Sequence, residues 1–349
     1  MVSCYIEKVL QLRPNTTSFE DLQAEVIKRN ALAISILCVI FLLGLPANAI
    51  MLHIFRTAFK KSSYRLFSMW LASFGLINVL VTVPMTLWLF LWEMDRPSEI
   101  QCKVGFVVSS SLVISCHIIL FVIAIERYRK VFHSFQWQIQ EKEINFYNVM
   151  AMVVAVMAAA PHAVFVGNHV VPTGIKSQNA TFCFVDENYE NSNGPPIYYI
   201  ILNVISFLIT VSIVIMYGRI IHAIRHYKKL AQTNVIFPEY DEHKPVCFAS
   251  TTRIIETRRS TLTLFVSALS FILTTFPFSI TALTLLLKPD FLCNNTTHLS
   301  TAIRATVCTL LLNTVLNPCI YFFADVHYRD EVKHLWHKMK SRNPRERLE

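Results

Sequence analysis

The tripeptide Glu126-Arg127-Tyr128 closes an apolar run, "FVIAI", that begins at Phe121. Arg129 and Lys130 follow it, and snorkelling of a helix end toward lipid headgroups explains those two. Snorkelling leaves Glu126 unexplained. A carboxylate beside a guanidinium is expected to form a charge-assisted pair, and a switch is the alternative reading to a plain helix end. Other reactive sets do not stand out. The nine cysteines include no CxxC pair and no Cys/His spacing of a zinc site. No nucleophile and base recur together, so no enzyme activity, catalytic residue, metal or cofactor is expected. Arg304 lies near the start of the last apolar run, where a charge is expensive and a functional candidate by default. It either meets a ligand carboxylate, snorkels to headgroups, or pairs with Glu93 or Asp290.

The elements that must position these residues are apolar runs. Of 349 residues, 54% are apolar and 16% charged, where soluble domains carry about 25% charged. Seven runs, near 31–55, 66–92, 104–125, 146–168, 197–218, 261–287 and 299–323, reach the length that crosses hydrocarbon. Only helices satisfy their own backbone in lipid over such lengths. The fold expected is therefore an all-α membrane protein, a seven-transmembrane helix bundle over 31–323. A tail over 1–30 precedes it, and a short amphipathic eighth helix and tail over 324–349 follow. The first 30 residues hold no apolar signal-peptide core, so the first run is read as the insertion signal.

Charge sets the orientation. Residues 56–65 carry four bases and no acid, 219–259 carry eight bases, and the tail after 324 carries seven. The alternate connections hold Glu93, Asp95, Glu99, Asp186, Glu187, Glu190 and Asp290. The positive-inside rule then places the N-terminus outside, in a multi-pass protein of the plasma membrane. The net charge of +9 shows no interleaving with aromatics, so no nucleic acid is expected. Glycosylation sequons at Asn15, Asn179, Asn294 and Asn295 all fall on the outer side. Cys102 and Cys183 share that oxidising side and are expected to pair, free thiols being the alternative. A second bridge between Cys4 and Cys293 stays open. Cys38, Cys116, Cys308 and Cys319 fall within the membrane as apolar packers. The stretch "HVVPTGIKSQNATFCFV" reads as a β-hairpin in the second extracellular loop. Val332, Leu335, Trp336 and Met339, with lysines between, read as a helix lying on an anionic leaflet.

Seven runs, Cys102 heading the third, "ERY" twenty-four residues later and "NPCIY" at 317–321 resemble the rhodopsin-like (class A) G-protein-coupled receptors. The resemblance spans about residues 30–338. It implies that Glu126 holds Arg127 until activation frees it for a heterotrimeric G protein, with Tyr128 completing the motif. It implies that Pro318 lets the seventh span bend, and that Tyr321 swings inward to join Tyr217 under a displaced sixth helix. Asn48, Asn313 and Asn317 take interhelical hydrogen-bonding roles, and Pro277 and Phe271 the sixth-span proline and aromatic. Tyr328 begins the eighth helix. The chain also departs from the pattern. Gly75 stands where the family keeps a sodium-binding aspartate, Cys116 at its serine partner, Thr275 at the sixth-span tryptophan and Ile209 at the fifth-span proline. No sodium site is expected, because a hard cation wants oxygen ligands including a carboxylate.

Ser109 occupies the position of the amine-binding aspartate, so an aminergic ligand is not expected. His162 is read as polar lining or as a histidine satisfied by a backbone carbonyl, and His117 and Asn78 as packing polars. By resemblance the hairpin goes with peptide ligands, and outer loops with seven acids against four bases steer a basic or amidated one. The partners implied are a heterotrimeric G protein, an extracellular ligand, a peptide by that analogy, arrestin and the lipid bilayer. The tail after Met339 holds one hydroxyl residue, Ser341, so arrestin binding through it is expected to be weak. Two alternatives remain. A seven-helix transporter lacks the expected intramembrane Asp or Glu relay and the internal repeat. A receptor fold without G-protein signalling is kept open by the missing sixth-span tryptophan.

Overall fold

The computed structural model describes residues 19–92, 98–132, 139–172, 179–189, 192–234, 246–287 and 297–341. Among these, seven helices are long and apolar enough to cross a membrane. They are α1 (Phe19–Thr57), α2 (Ser63–Leu91), α3 (Glu99–Phe132), α4 (Glu141–Phe165), α5 (Gly194–Asn234), α6 (Val246–Leu287) and α7 (Thr297–Ala324). A further helix, α8 (Val326–Ser341), follows α7 directly. Between α4 and α5, β1 (Val166–Pro172) and β2 (Asn179–Val185) pair antiparallel, with Val166 opposite Val185 and Pro172 opposite Asn179. Cys4, Asn15, Cys293, Asn294 and Asn295 lie outside the described residues, as do Glu93 and Asp290.

Several helices differ in extent from the apolar runs, for local reasons. α1 starts at Phe19, ahead of its apolar run, because its first turns are polar helix. Glu20 and Asp21 face the positive end of the helix dipole, and Arg29 pairs with Glu25 one turn back at 3.5 Å. α4 stops at Phe165, three residues short of the run's end at 168. Pro161 interrupts its hydrogen-bond ladder, and the chain turns extended at Val166. α2 contains a π-turn over Asn78–Thr82, where Val83 donates to the carbonyl of Asn78. Pro84 follows immediately, and the wider turn accommodates the missing N–H.

Connections are closed by side chains. Arg65 donates from Nε to the carbonyl of Phe55 at 2.7 Å and from Nη2 to that of Arg56 at 3.0 Å, covering the carbonyl end of α1. Ser62 caps α2 by accepting from the N–H of Arg65. Gln140 and Glu143 form a reciprocal capping box at the start of α4. Trp70 Nε1 donates to Asn145 Oδ1 at 3.0 Å, joining α2 to α4.

The largest fully buried side chains include Phe55, Phe67, Phe74, Tyr217 and Tyr321. They belong to one core that also holds Ile123 and Ala124, so the tightest packing lies toward the Arg127 end of the bundle. The opposite surface is apolar and outward, as lipid requires: Leu42, Phe207 and Leu273 are more than half exposed.

Candidate functional site

Two polar assemblies sit at opposite ends of α3. At the end nearer its start, Cys102 is disulfide-bonded to Cys183 of β2, with Cα atoms 5.6 Å apart. This ties the first turn of α3 to the strand pair. A cavity of about 490 Å³ lies among α2 to α7, and Cys183 contributes to its lining. Ser109, at the amine-binding position, and His162, a candidate for polar lining, line it, and so does His117. No Asp, Glu, Lys or Arg is among the described residues lining it.

The two histidines brace the cavity walls. His117 places Nδ1 3.0 Å from Ser206 Oγ and Nε2 3.1 Å from Thr210 Oγ1, so one imidazole spans a full turn of α5. Its ring lies 5.5 Å from that of Phe271 on α6. His162 places Nδ1 3.0 Å from the carbonyl of Ala159 and 2.8 Å from the hydroxyl of Tyr198, with Nε2 3.3 Å from Ser110 Oγ. Tyr198 donates to the carbonyl of Ala158 at 2.8 Å, so this cluster joins α3, α4 and α5. Arg304 is not in the lining. Its Nη1 donates to Asn30 Oδ1 at 2.6 Å, and Asn30 donates in turn to the carbonyl of Phe90.

At the other end of α3, Glu126 and Arg127 are 1% and 3% exposed. Arg127 Nε lies 2.9 Å from Glu126 Oε2. Lys130, one turn on, pairs with the second carboxylate oxygen and donates to Ser63 Oγ at 3.0 Å in the first turn of α2. Snorkelling is therefore the wrong account of Lys130: its ammonium turns back to the second oxygen of a buried carboxylate, whose remaining lone pairs need a donor. Beside Tyr128, the guanidinium of Arg219 from α5 lies 5.7 Å from the ring centre, a cation–π contact.

The remaining motif residues surround this pair. Tyr217 and Tyr321 are both fully buried but are not bonded to each other. Tyr321 shares a hydrogen bond with Ser68 Oγ at 2.9 Å, and the hydroxyl of Tyr217 has no partner among the described residues. Pro318 has no N–H to offer the carbonyl of Thr314 one turn back. Asn48 supplies the missing donor, with Nδ2 2.7 Å from that carbonyl and 2.8 Å from that of Gly44. Asn48 also fills the space beside Gly75, where an added Cβ would fall 2.7 Å from its Cγ. Asn313 and Asn317 are buried, and their Oδ1 atoms have no hydrogen-bond partner among the described residues. Pro277 lies inside α6, six residues past Phe271.

Several participants escaped the sequence reading. Tyr64 donates to Asp325 Oδ2 at 2.6 Å, and the N–H of Tyr328 to Asp325 Oδ1 at 3.2 Å. Asp325 is thus the N-cap of α8, and a lone Asp before a helical pattern is the signal that reveals such a cap. Burial against Phe55 and Tyr321 holds the phenol of Tyr328 above its ordinary pKa, so it stays neutral. Ser63, Ser68, Ser206 and Thr210 carry no motif at all.

A family model described as "7 transmembrane receptor (rhodopsin family)" matches residues 47–321. That interval runs from the residue before Asn48 to Tyr321 and contains both polar assemblies. No curated protein matches the chain.

Proposed function

Because the chain belongs to the rhodopsin family of seven-transmembrane receptors, we propose that it converts binding of an extracellular ligand into activation of a heterotrimeric G protein. One observation carries the reading: a ligand-sized cavity and a buried Glu126–Arg127 pair share one helix. His117 and Arg127 are ten positions apart, roughly 15 Å along α3. An agonist in the cavity favours a minor conformation in which α6 swings outward about Pro277. Phe271, whose ring faces His117, passes the change down α6. Arg127 is then released from Glu126, and Tyr321 leaves Ser68 to join Tyr217.

In this reading the disulfide end is extracellular and the Arg127 end cytosolic, with the basic connections on the inner side supporting that direction. The β1–β2 pair belongs to the second extracellular loop, where the sequon that begins at Asn179 is a glycosylation site. α8 lies along the inner leaflet, and arrestin engages the tail weakly. A cationic peptide, expected from the acidic loops, finds no carboxylate among the described cavity-lining residues.

The test is G-protein dissociation in cells expressing the chain, against Arg127→Ala at matched surface level. Basal or ligand-driven signal that Arg127→Ala abolishes supports the reading. Solute flux without G-protein response favours a transporter. Silence in both assays at normal surface level favours a receptor fold that does not signal.

A further inference from the structure

We infer that the cavity takes an uncharged, membrane-partitioning amphiphile, a neutral lipid with a small hydroxyl-bearing head, admitted from the bilayer between α4 and α5. The inference rests on the receptor reading, since it names the ligand class of that same cavity.

The lining chemistry sets the class. Met85, Leu89, Val113, Ile118, Ile209 and Phe278 make much of the wall, and none of the described lining residues is an acid, a lysine or an arginine. An ionised head held there without a counter-charge is strongly disfavoured. Two hydroxyls ask for an occupant. Thr86, Thr274 and Thr284 return their hydroxyls to the carbonyl four residues back, as helical threonines do. Thr82 and Thr275 line the cavity, yet their buried hydroxyl oxygens have no partner among the described residues. Leaving such groups unsatisfied is costly; both oxygens are covered from the cavity, and a turn about χ1 brings each within reach of a neutral polar head.

The route is set by exposure. Val154 of α4 and Ile205 of α5 both line the cavity, and both are exposed, at 43% and 50%. They lie on helices apolar enough to cross a membrane, so the cavity wall there is also bilayer surface. Tyr198 closes the seam nearer the disulfide end through its bond to Ala158. Val154 is one turn of α4 from Ala158, toward the Arg127 end. The opening therefore faces the acyl region, and a lipid reaches it without crossing water.

The test uses the full chain in phosphatidylcholine nanodiscs, photolysed with a diazirine-bearing monoacylglycerol. A diazirine fatty acid and a diazirine sphingoid base serve as charged comparators. The monoacylglycerol is expected to label cavity-lining residues saturably, in competition with unlabelled monooleoylglycerol. The charged probes are expected to label them at least about a hundredfold more weakly. Thr82→Val and Thr275→Val each weaken labelling about tenfold without changing side-chain shape, and Val154→Trp slows its onset. Non-saturable labelling, equal labelling by a charged probe, or indifference to all three substitutions overturns the inference. If a variant fails to fold, the comparison of probes on the unaltered chain decides alone. No G protein is present, so a mute receptor that still binds the probe sinks only the signalling reading.

Discussion

Lys130 sits between two claims on Glu126. With Arg127 in place, the carboxylate has two cations around it, and Lys130 also ties α3 to Ser63 of α2. In the proposed switch, Lys130 is the counter-charge that stays when Arg127 leaves, because it lies one turn away on the same helix. It lowers the cost of the departure, and so favours the active state. Lys130→Ala is therefore expected to reduce basal G-protein signal by about threefold to tenfold, a modest effect for a lysine that is about a third exposed. Glu126→Gln removes the hold on Arg127 and is expected to raise the basal signal. Second-messenger output at matched surface level reads both. A change in the same direction for the two variants would make Lys130 a structural tie only. At Gly75 the same residue-level reading is steric. With Gly75 here, Asn48 leans into the space a Cβ would take while it donates to the carbonyl that Pro318 leaves open, so any side chain at 75 requires Asn48 to move.

The junction of α7 and α8 shows how an element is placed by one side chain. The apolar spacing of Val332, Leu335, Trp336 and Met339 predicts a helix after Tyr321, and the structure has one over Val326–Ser341. What the spacing does not reveal is its start. Asp325 accepts from Tyr328 N–H with one carboxylate oxygen and from the Tyr64 hydroxyl with the other, so it caps α8 and pins it to α2. Tyr328 stacks on Phe55 at 5.6 Å and meets Tyr321 edge-on, which seats the first turn of α8 on the core. Asp325→Ala removes the cap and leaves Tyr64 without that acceptor. Loss of such a cap costs about 1 kcal/mol, so amide exchange over residues 326–330 is expected to speed up about fivefold. Exchange in α1, far from the cap's partners except through Phe55, should stay as it was. Uniform acceleration across the chain would mean that Asp325 supports the whole bundle and not α8.

At the scale of the molecule, the seven spans and the Glu126–Arg127 motif were legible because they are local: each lies within one stretch of sequence with its own hydrophobic signature. The strand pair was legible from alternation, and the Cys102–Cys183 bond from the expectation that both cysteines meet one oxidising side. The cavity was not, because its walls come from six helices and its bracing pairs lie far apart in sequence. His117 and Thr210 are 93 residues apart, and nothing in either segment marks the other. That pairing decides how the bundle holds together around the cavity. α5 is the least buried of the spanning helices, with 6% of its most apolar window buried. On its cavity side it is held by His117 through Ser206 and Thr210 and by Tyr198 against α4. His117→Ala removes two buried hydrogen bonds at once and leaves two hydroxyls to find new partners, each bond contributing about 1 kcal/mol. Opening of α5 near Ser206 is then expected to become at least tenfold more frequent, read as faster amide exchange there. The α1–α2–α7 side, fixed by Asn48 and by the Arg304–Asn30 bond, should keep its protection. Ser206→Ala with Thr210→Val restores an apolar match to His117→Ala and should recover much of the protection. Without that recovery, the imidazole acts through packing on Phe271 and not through its bonds to α5.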